Sequence, residues 1–230
     1  MTKEEVLQII EQNANGVNAV SQKKFGINAA HSYGLTVPQL RSIAKVIGKN
    51  HSLATQLWST GIHDAKHIAA MIADTQQVTE PLMEKWIKDF DSWDIVDGCC
   101  SAVFCRTPYA YSKAEEWSTR TKEFEKRASF SLMAYLAVHD KKQKDAPFEK
   151  FLEIILRESS DERNFVKKAV NWALRQIGKR NIRLCNKAIV TAKKIQTKGD
   201  KASRWVAADA LRELLTYKQQ GRIKSVGSKH

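Results

Sequence analysis

The sequence predicts an all-α fold, a HEAT-like or armadillo-like helical-repeat solenoid, on three observations. Apolar residues recur at helical period in nearly every segment, and no strand-like alternation stands out. The 230 residues hold only 10 Gly and 4 Pro, too few turn formers for a many-turned β fold. Helix pairs joined by short turns recur roughly every 30 to 45 residues, the cadence of HEAT and armadillo repeats. A solenoid of this length curves and presents a concave surface, and if that surface is basic it cradles a duplex. One solenoid domain is expected over residues 1–217, and a disordered basic tail over residues 218–230.

The elements follow in order. Residues 3–13 carry Val6, Ile9 and Ile10 on one face, and Asn13-Ala-Asn-Gly16 ends that helix. A short helix is expected around residues 19–30. Thr36-Val37-Pro38 is a helix start, with Thr36 as cap and proline in the first turn. Val37, Leu40, Ile43, Ala44 and Ile47 then line one face up to Gly48. Residues 52–59 and 62–73 form two further helices. Thr79-Glu80-Pro81 opens another, bearing Leu82, Trp86 and Phe90. Ser92 caps a helix expected to run to about Arg106, stopped by Thr107-Pro108. Ser112 caps the next, to about Arg120. Residues 123–138 are apolar on most sides from Phe130 onward, which predicts an inner helix. Helices at residues 147–158, 162–178, 182–196 and 203–217 complete the set, with Trp58, Trp86 and Trp205 read as core.

Composition narrows the function. No signal-peptide pattern and no apolar run of about 20 residues is present, so a soluble protein in the cytoplasm is expected, with no membrane partner. Cys99, Cys100, Cys105 and Cys185 fit no zinc spacing and read as buried free thiols. His63 and His67 stand at i, i+4, but no third ligand accompanies them in helical register. They read as surface or packing residues, and no metal or cofactor is expected. Net charge is +13, and nearly all of it is local. Residues 163–204 contain thirteen Lys and Arg against one acid, Asp200, a net +12. A block this one-sided is the footprint of a polyanion binder, and nucleic acid fits it better than an anionic membrane patch or a merely solvated basic face.

Three constellations carry chemistry. Ser92-Trp-Asp-Ile-Val-Asp97, read as the first turns of a helix, puts Trp93 and Asp97 four residues apart on one face, at the border of an apolar stripe. An aromatic plate beside a carboxylate grips a sugar and stabilises positive charge; alone, the pair reads equally as a half-buried Trp and a first-turn acid held by the helix dipole. In the helix over 162–178, Lys168, Trp172, Arg175 and Lys179 form a row at i, i+4, i+7 and i+11. A Trp there either stacks on sugar or base while cations hold phosphates, or packs on a neighbouring helix under Lys stems. Arg127 opens the inner helix and needs an anion, either a carboxylate or a phosphate. Arg163 and Lys167 extend the cationic set.

These stretches resemble the AlkD family of DNA alkylation repair glycosylases. The resemblance rests on Trp93-Asp-Ile-Val-Asp97, Arg127-Ala-Ser-Phe130 and Phe165-Val-Lys-Lys-Ala-Val-Asn-Trp172-Ala-Leu-Arg175, in that order. It extends to Gly34-Leu-Thr-Val-Pro-Gln-Leu-Arg41, to Trp58 with His63-Asp-Ala-Lys66, and to Ala202-Ser-Arg-Trp205. It covers residues 3–215. It implies a HEAT-like solenoid that works as a monomer on double-stranded DNA containing alkylated purines, nucleoid-associated when bound. It assigns Asp97 as catalytic carboxylate, Trp93 and Trp172 as aromatics on the deoxyribose, and Arg127 as holder of the flanking phosphate, with no base flipping. Asn171 stands where close relatives are expected to have Gly. Asp94 falls on another side of the helix and reads as structural. The rival reading is a non-catalytic HEAT-like module for bent or branched DNA.

Overall fold

The computed structural model describes residues 1–28 and 30–223. Thirteen α-helices and no strand are present among these residues: α1 Lys3–Gln12, α2 Gly16–Lys24, α3 Val37–Ile47, α4 His51–Trp58, α5 His63–Ile72, α6 Glu80–Lys88, α7 Trp93–Ala102, α8 Ala110–Glu116, α9 Glu123–His139, α10 Asp145–Glu158, α11 Asn164–Gly178, α12 Ile182–Gln196 and α13 Lys201–Gln219. The chain divides into two compact units, Met1–Tyr109 and the residues from Ala110 onward. None of the helices is long and apolar enough to cross a membrane.

Polar side chains hold several helix starts, three of them at residues that the sequence reading does not single out as caps, Asn50, Asn181 and Asp200. Asn50 Oδ1 accepts from Leu53 N–H at 3.0 Å, and Asn181 Oδ1 accepts from Leu184 N–H at 2.9 Å. Asp200 Oδ1 accepts from Ser203 N–H at 2.8 Å, and Gln39 Oε1 accepts from Thr36 N–H at 2.8 Å. Each satisfies a donor that the helix leaves open. Other boundaries move. The helix expected over 19–30 is α2, which stops at Lys24 and buries none of its residues, so no core face prolongs it. The helix from Ser92 ends at Ala102, because Val103 leaves helical geometry (φ −135°, ψ −53°) and Phe104–Arg106 form a separate 3₁₀ turn. Ser112 lies inside α8 rather than capping it. Lys218 and Gln219, expected in the tail, are the end of α13; residues 224–230 of that tail lie outside the described residues.

In the first unit the core is aromatic. Trp58 of α4 and Trp86 of α6 stack at 4.1 Å with planes 5° apart, flanked by Phe90 and Phe104. Burying one such indole stabilises the unit by about 2–3 kcal/mol. Trp58 keeps its polar edge satisfied by donating to Asp89 at 2.9 Å. In the second unit α9 is the inner helix expected. Twelve of its residues are buried, Glu125 to Ala137 without Tyr135, and α8, α10 and α11 pack around it.

Asp64 shows how a buried charge shapes the first unit. It is fully buried in α5, and its two oxygens accept from the backbone N–H of Tyr33 (2.7 Å) and Leu35 (2.9 Å). It thereby fixes the loop leading into α3. That loop also needs Gly34, whose φ is +78° and where a Cβ would lie 2.3 Å from the Asn15 carbonyl oxygen. Asp64→Asn turns one acceptor into a donor facing a backbone N–H. A loss of about 2 kcal/mol is expected, read as a lower urea midpoint at unchanged slope.

Candidate active site

Trp93 and Asp97 lie on α7 in the first unit, at i and i+4 as the sequence predicts. Both are half-buried. The Trp93 indole N–H donates to the Phe25 carbonyl at 3.0 Å, which ties the segment after α2 to the head of α7. Trp93 also lines a cleft of about 260 Å³ with Phe25, Val37, His63, His67 and Asp94. The acid in that cleft is therefore Asp94, the neighbour the sequence sets aside.

Asp94 is the centre of a cluster. His63 Nε2 and His67 Nε2 of α5 approach its Oδ2 at 2.8 and 3.2 Å, and Ser92 Oγ donates to its Oδ1 at 2.7 Å. The Ser92 hydroxyl thus serves Asp94 instead of a backbone N–H of α7. Burial pushes the Asp94 carboxyl up, but the hydrogen bonds and charges of His63 and His67 outweigh it and hold it well below the usual carboxylate range. Both histidines are buried, not surface residues, and their third partner comes from 27 and 31 positions along the chain. No helical-register rule looks that far. The one local signal is Gly98, one turn after Asp94: a Cβ there would lie 2.9 Å from His67 Nδ1.

The second unit holds Arg127, Trp172 and the cations. Arg127 is buried at the start of α9 and donates to the Phe165 carbonyl at 2.7 Å, in the first turn of α11. Trp172 is half-buried and stands edge-on to Tyr135 (5.0 Å, 88°). Asn171 does not crowd it. Its side chain is buried and donates to the Val206 carbonyl at 3.1 Å, tying α11 to α13.

The cationic row is largely paired. Arg175 and Lys179 both meet Glu213 of α13, and Arg175 Nε lies 3.6 Å from Asp209. Arg163 binds Asp161 through two nitrogens, Nε at 2.9 Å and Nη2 at 2.5 Å. Arg183 and Lys187 share Glu149. Lys168 is exposed and has no ion-pair partner among the described residues. Lys167 sits over the ring of Trp205 at 5.2 Å. Trp205, expected in the core, is 40% exposed: α13 buries Ala202, Val206 and Ala210, and Trp205 falls off that face.

A profile of the DNA alkylation repair enzyme family matches residues 6–214. The chain belongs to that family. Every candidate site residue lies inside the matched span. A solved structure described as "a new family of proteins related to the HEAT-like repeat DNA glycosylases with affinity for branched DNA structures" superposes with a TM-score of 0.80. It is 22% identical and covers 98% of this chain and 97% of its own. The likeness establishes the HEAT-like repeat fold of this DNA alkylation repair family member. A comparison with curated proteins gives no match.

Proposed function

We propose that the protein is a DNA glycosylase that hydrolyses the N-glycosidic bond of N3- and N7-alkylated purines in duplex DNA. The observation that carries this reading is the family match over residues 6–214 together with Trp93 and Asp97 on one face of α7. An N-alkylated purine already bears positive charge, so it departs as a neutral base without a general acid. One carboxylate then suffices, where ordinary glycosides need two. As the bond breaks, the charge moves onto the sugar. Asp97 stabilises that oxocarbenium and positions the attacking water. Trp93 and Trp172 pack on deoxyribose and favour the cation through their π faces. Arg127, held at the start of α9 by its hydrogen bond to the Phe165 carbonyl, is the cation for the flanking phosphate, which a guanidinium suits by its fork of donors. Lys168 and Lys167 hold the backbone, with Arg163, Arg175 and Lys179 reaching phosphate by exchanging carboxylate partners. The bond is cut with the base left in the stack, and the protein acts as a monomer in the cytoplasm.

A second reading has its own support. The superposed structure is described as having affinity for branched DNA, and the ion-paired cations of α11 suit a module that binds without cutting. One experiment separates the two. Methylating-agent-treated duplex is incubated with the protein and released 3-methyladenine and 7-methylguanine are measured by chromatography. In parallel, a four-way junction is titrated across a salt series. Release well above spontaneous depurination supports the glycosylase. Absence of release, with tight junction binding and a steep salt slope, supports the binding module.

A further inference from the structure

We propose that His63, His67 and Asp94 form a binding site for a divalent transition-metal ion of the zinc class. One ligand atom from each of the three lies within 4.8 Å of the others, and the Nε2 atoms of His63 and His67 both approach Asp94 Oδ2. Zinc bonds of about 2.0–2.1 Å in tetrahedral array put neighbouring ligand atoms roughly 3.3 Å apart. The two His–Asp94 separations, 2.8 and 3.2 Å, reach that spacing by opening about half an ångström or less.

The supporting structure also suits an ion. His63 and His67 project from one face of α5, one turn apart, so one rigid element carries both imidazoles. Asp94 sits in the first turn of α7, and the Ser92 hydroxyl holds its Oδ1, leaving Oδ2 to point at the rings. Such an outer hydrogen bond orients a metal-binding carboxylate. Three protein donors leave a fourth position, and the three residues line the 260 Å³ cleft into which it opens. Two imidazoles and one carboxylate select zinc, cobalt, nickel or iron(II) over magnesium or calcium.

The same distances also describe two Nε2–H groups donating to Asp94. Metal binding replaces those two hydrogen bonds by three coordinate bonds. Each imidazole then coordinates through the Nε2 lone pair, and its proton moves to Nδ1 or to solvent. His63 Nδ1 is buried with no hydrogen-bond partner among the described residues, so neither neutral tautomer satisfies that atom and the switch carries little penalty there. The ion would join α5 to the head of α7, which carries Trp93 and Asp97. This role is separate from the chemistry proposed for Asp97.

The test uses the full chain, without an affinity tag and stripped by chelator, titrated with Co²⁺ and Zn²⁺ alone. One equivalent is expected, with visible Co²⁺ absorption bands and a melting temperature raised by Zn²⁺ and returned by chelator. His67→Gln keeps an amide N–H for Asp94 but removes an imidazole ligand, and it should weaken Co²⁺ binding at least 100-fold. Should that variant fail to fold by circular dichroism, Gly98→Ala serves. It alters no ligand, displaces the His67 ring, and should weaken Co²⁺ at least tenfold. No stoichiometric binding up to millimolar metal, or equal affinity in the folded variants, overturns the site and leaves a histidine–carboxylate hydrogen-bond cluster. Alkylpurine release is assayed separately, so failure of either proposal is seen on its own.

Discussion

Asp97→Asn is expected to lower the rate of alkylpurine release about 100-fold or more, at undiminished affinity for DNA. The substitution keeps volume, removes the negative charge and turns one acceptor oxygen into an amide donor. In the ground state the positive charge lies on the base. In the transition state it lies on the sugar, where Asp97 is proposed to stand. A carboxylate that meets charge only as it develops acts on kcat and not on binding. Removing one such preorganised group costs about 3–4 kcal/mol of transition-state stabilisation. Affinity has the opposite sensitivity, since neutralising an anion near phosphates leaves binding equal or tighter. Single-turnover release and a DNA titration on the same two proteins check both halves. An Asn variant that keeps full release with an unchanged melting temperature would remove Asp97 from the chemistry.

Much of the fold was legible because it is written locally. Thr36 and Thr79, each followed by proline in the first turns of α3 and α6, mark those helix starts within a few residues of sequence. The apolar run from Phe130 marks α9 as the inner helix because burial on all sides leaves no polar stripe. The Trp93–Asp97 spacing needs only one turn of helix. What failed was non-local. The early end at Ala102 comes from a backbone break at Val103, with no Pro or Gly to announce it. Trp205 looked like core by residue type, yet the face of α13 that packs is set by Ala202, Val206 and Ala210.

The site divides in the same way. Residue type and i, i+4 spacing reveal which cations share a face of α11. They say nothing of Glu213 and Asp209, which arrive from another helix and neutralise part of the row. A one-sided charge count therefore overstates the field that a polyanion meets. The net +12 over 163–204 takes counterions from Glu149 on α10 and from α13, outside its own span. Likewise His63 and His67 are visible as a pair, but their carboxylate is supplied by tertiary packing.

Lys126→Met is expected to destabilise the protein by about 3–4 kcal/mol at pH 7, with a smaller loss in acid. Lys126 is buried at the start of α9, and its ammonium lies 2.6 Å from Glu158 and 2.9 Å from Asp161. Met fills similar volume, so little cavity is left. What it leaves is two carboxylates facing each other, with Arg163 on Asp161 and Arg157 on Glu158 as remaining partners. Removing one partner of a buried ion pair costs more than the pair itself contributes. The pH dependence follows from the direction of the shifts. Burial pushes the Asp161 carboxyl up, but Arg163 and Lys126 outweigh it and bring it from 3.8 down to about 2. Glu158 is lowered as well. A depressed carboxyl stabilises the fold above its unfolded value and loses that contribution as pH falls from 3.8 toward 2. The variant lacks part of the depression, so wild type and variant should converge across that window. Urea unfolding at pH 7 and pH 3 measures it, and an equal gap at both would assign the loss to packing instead of charge.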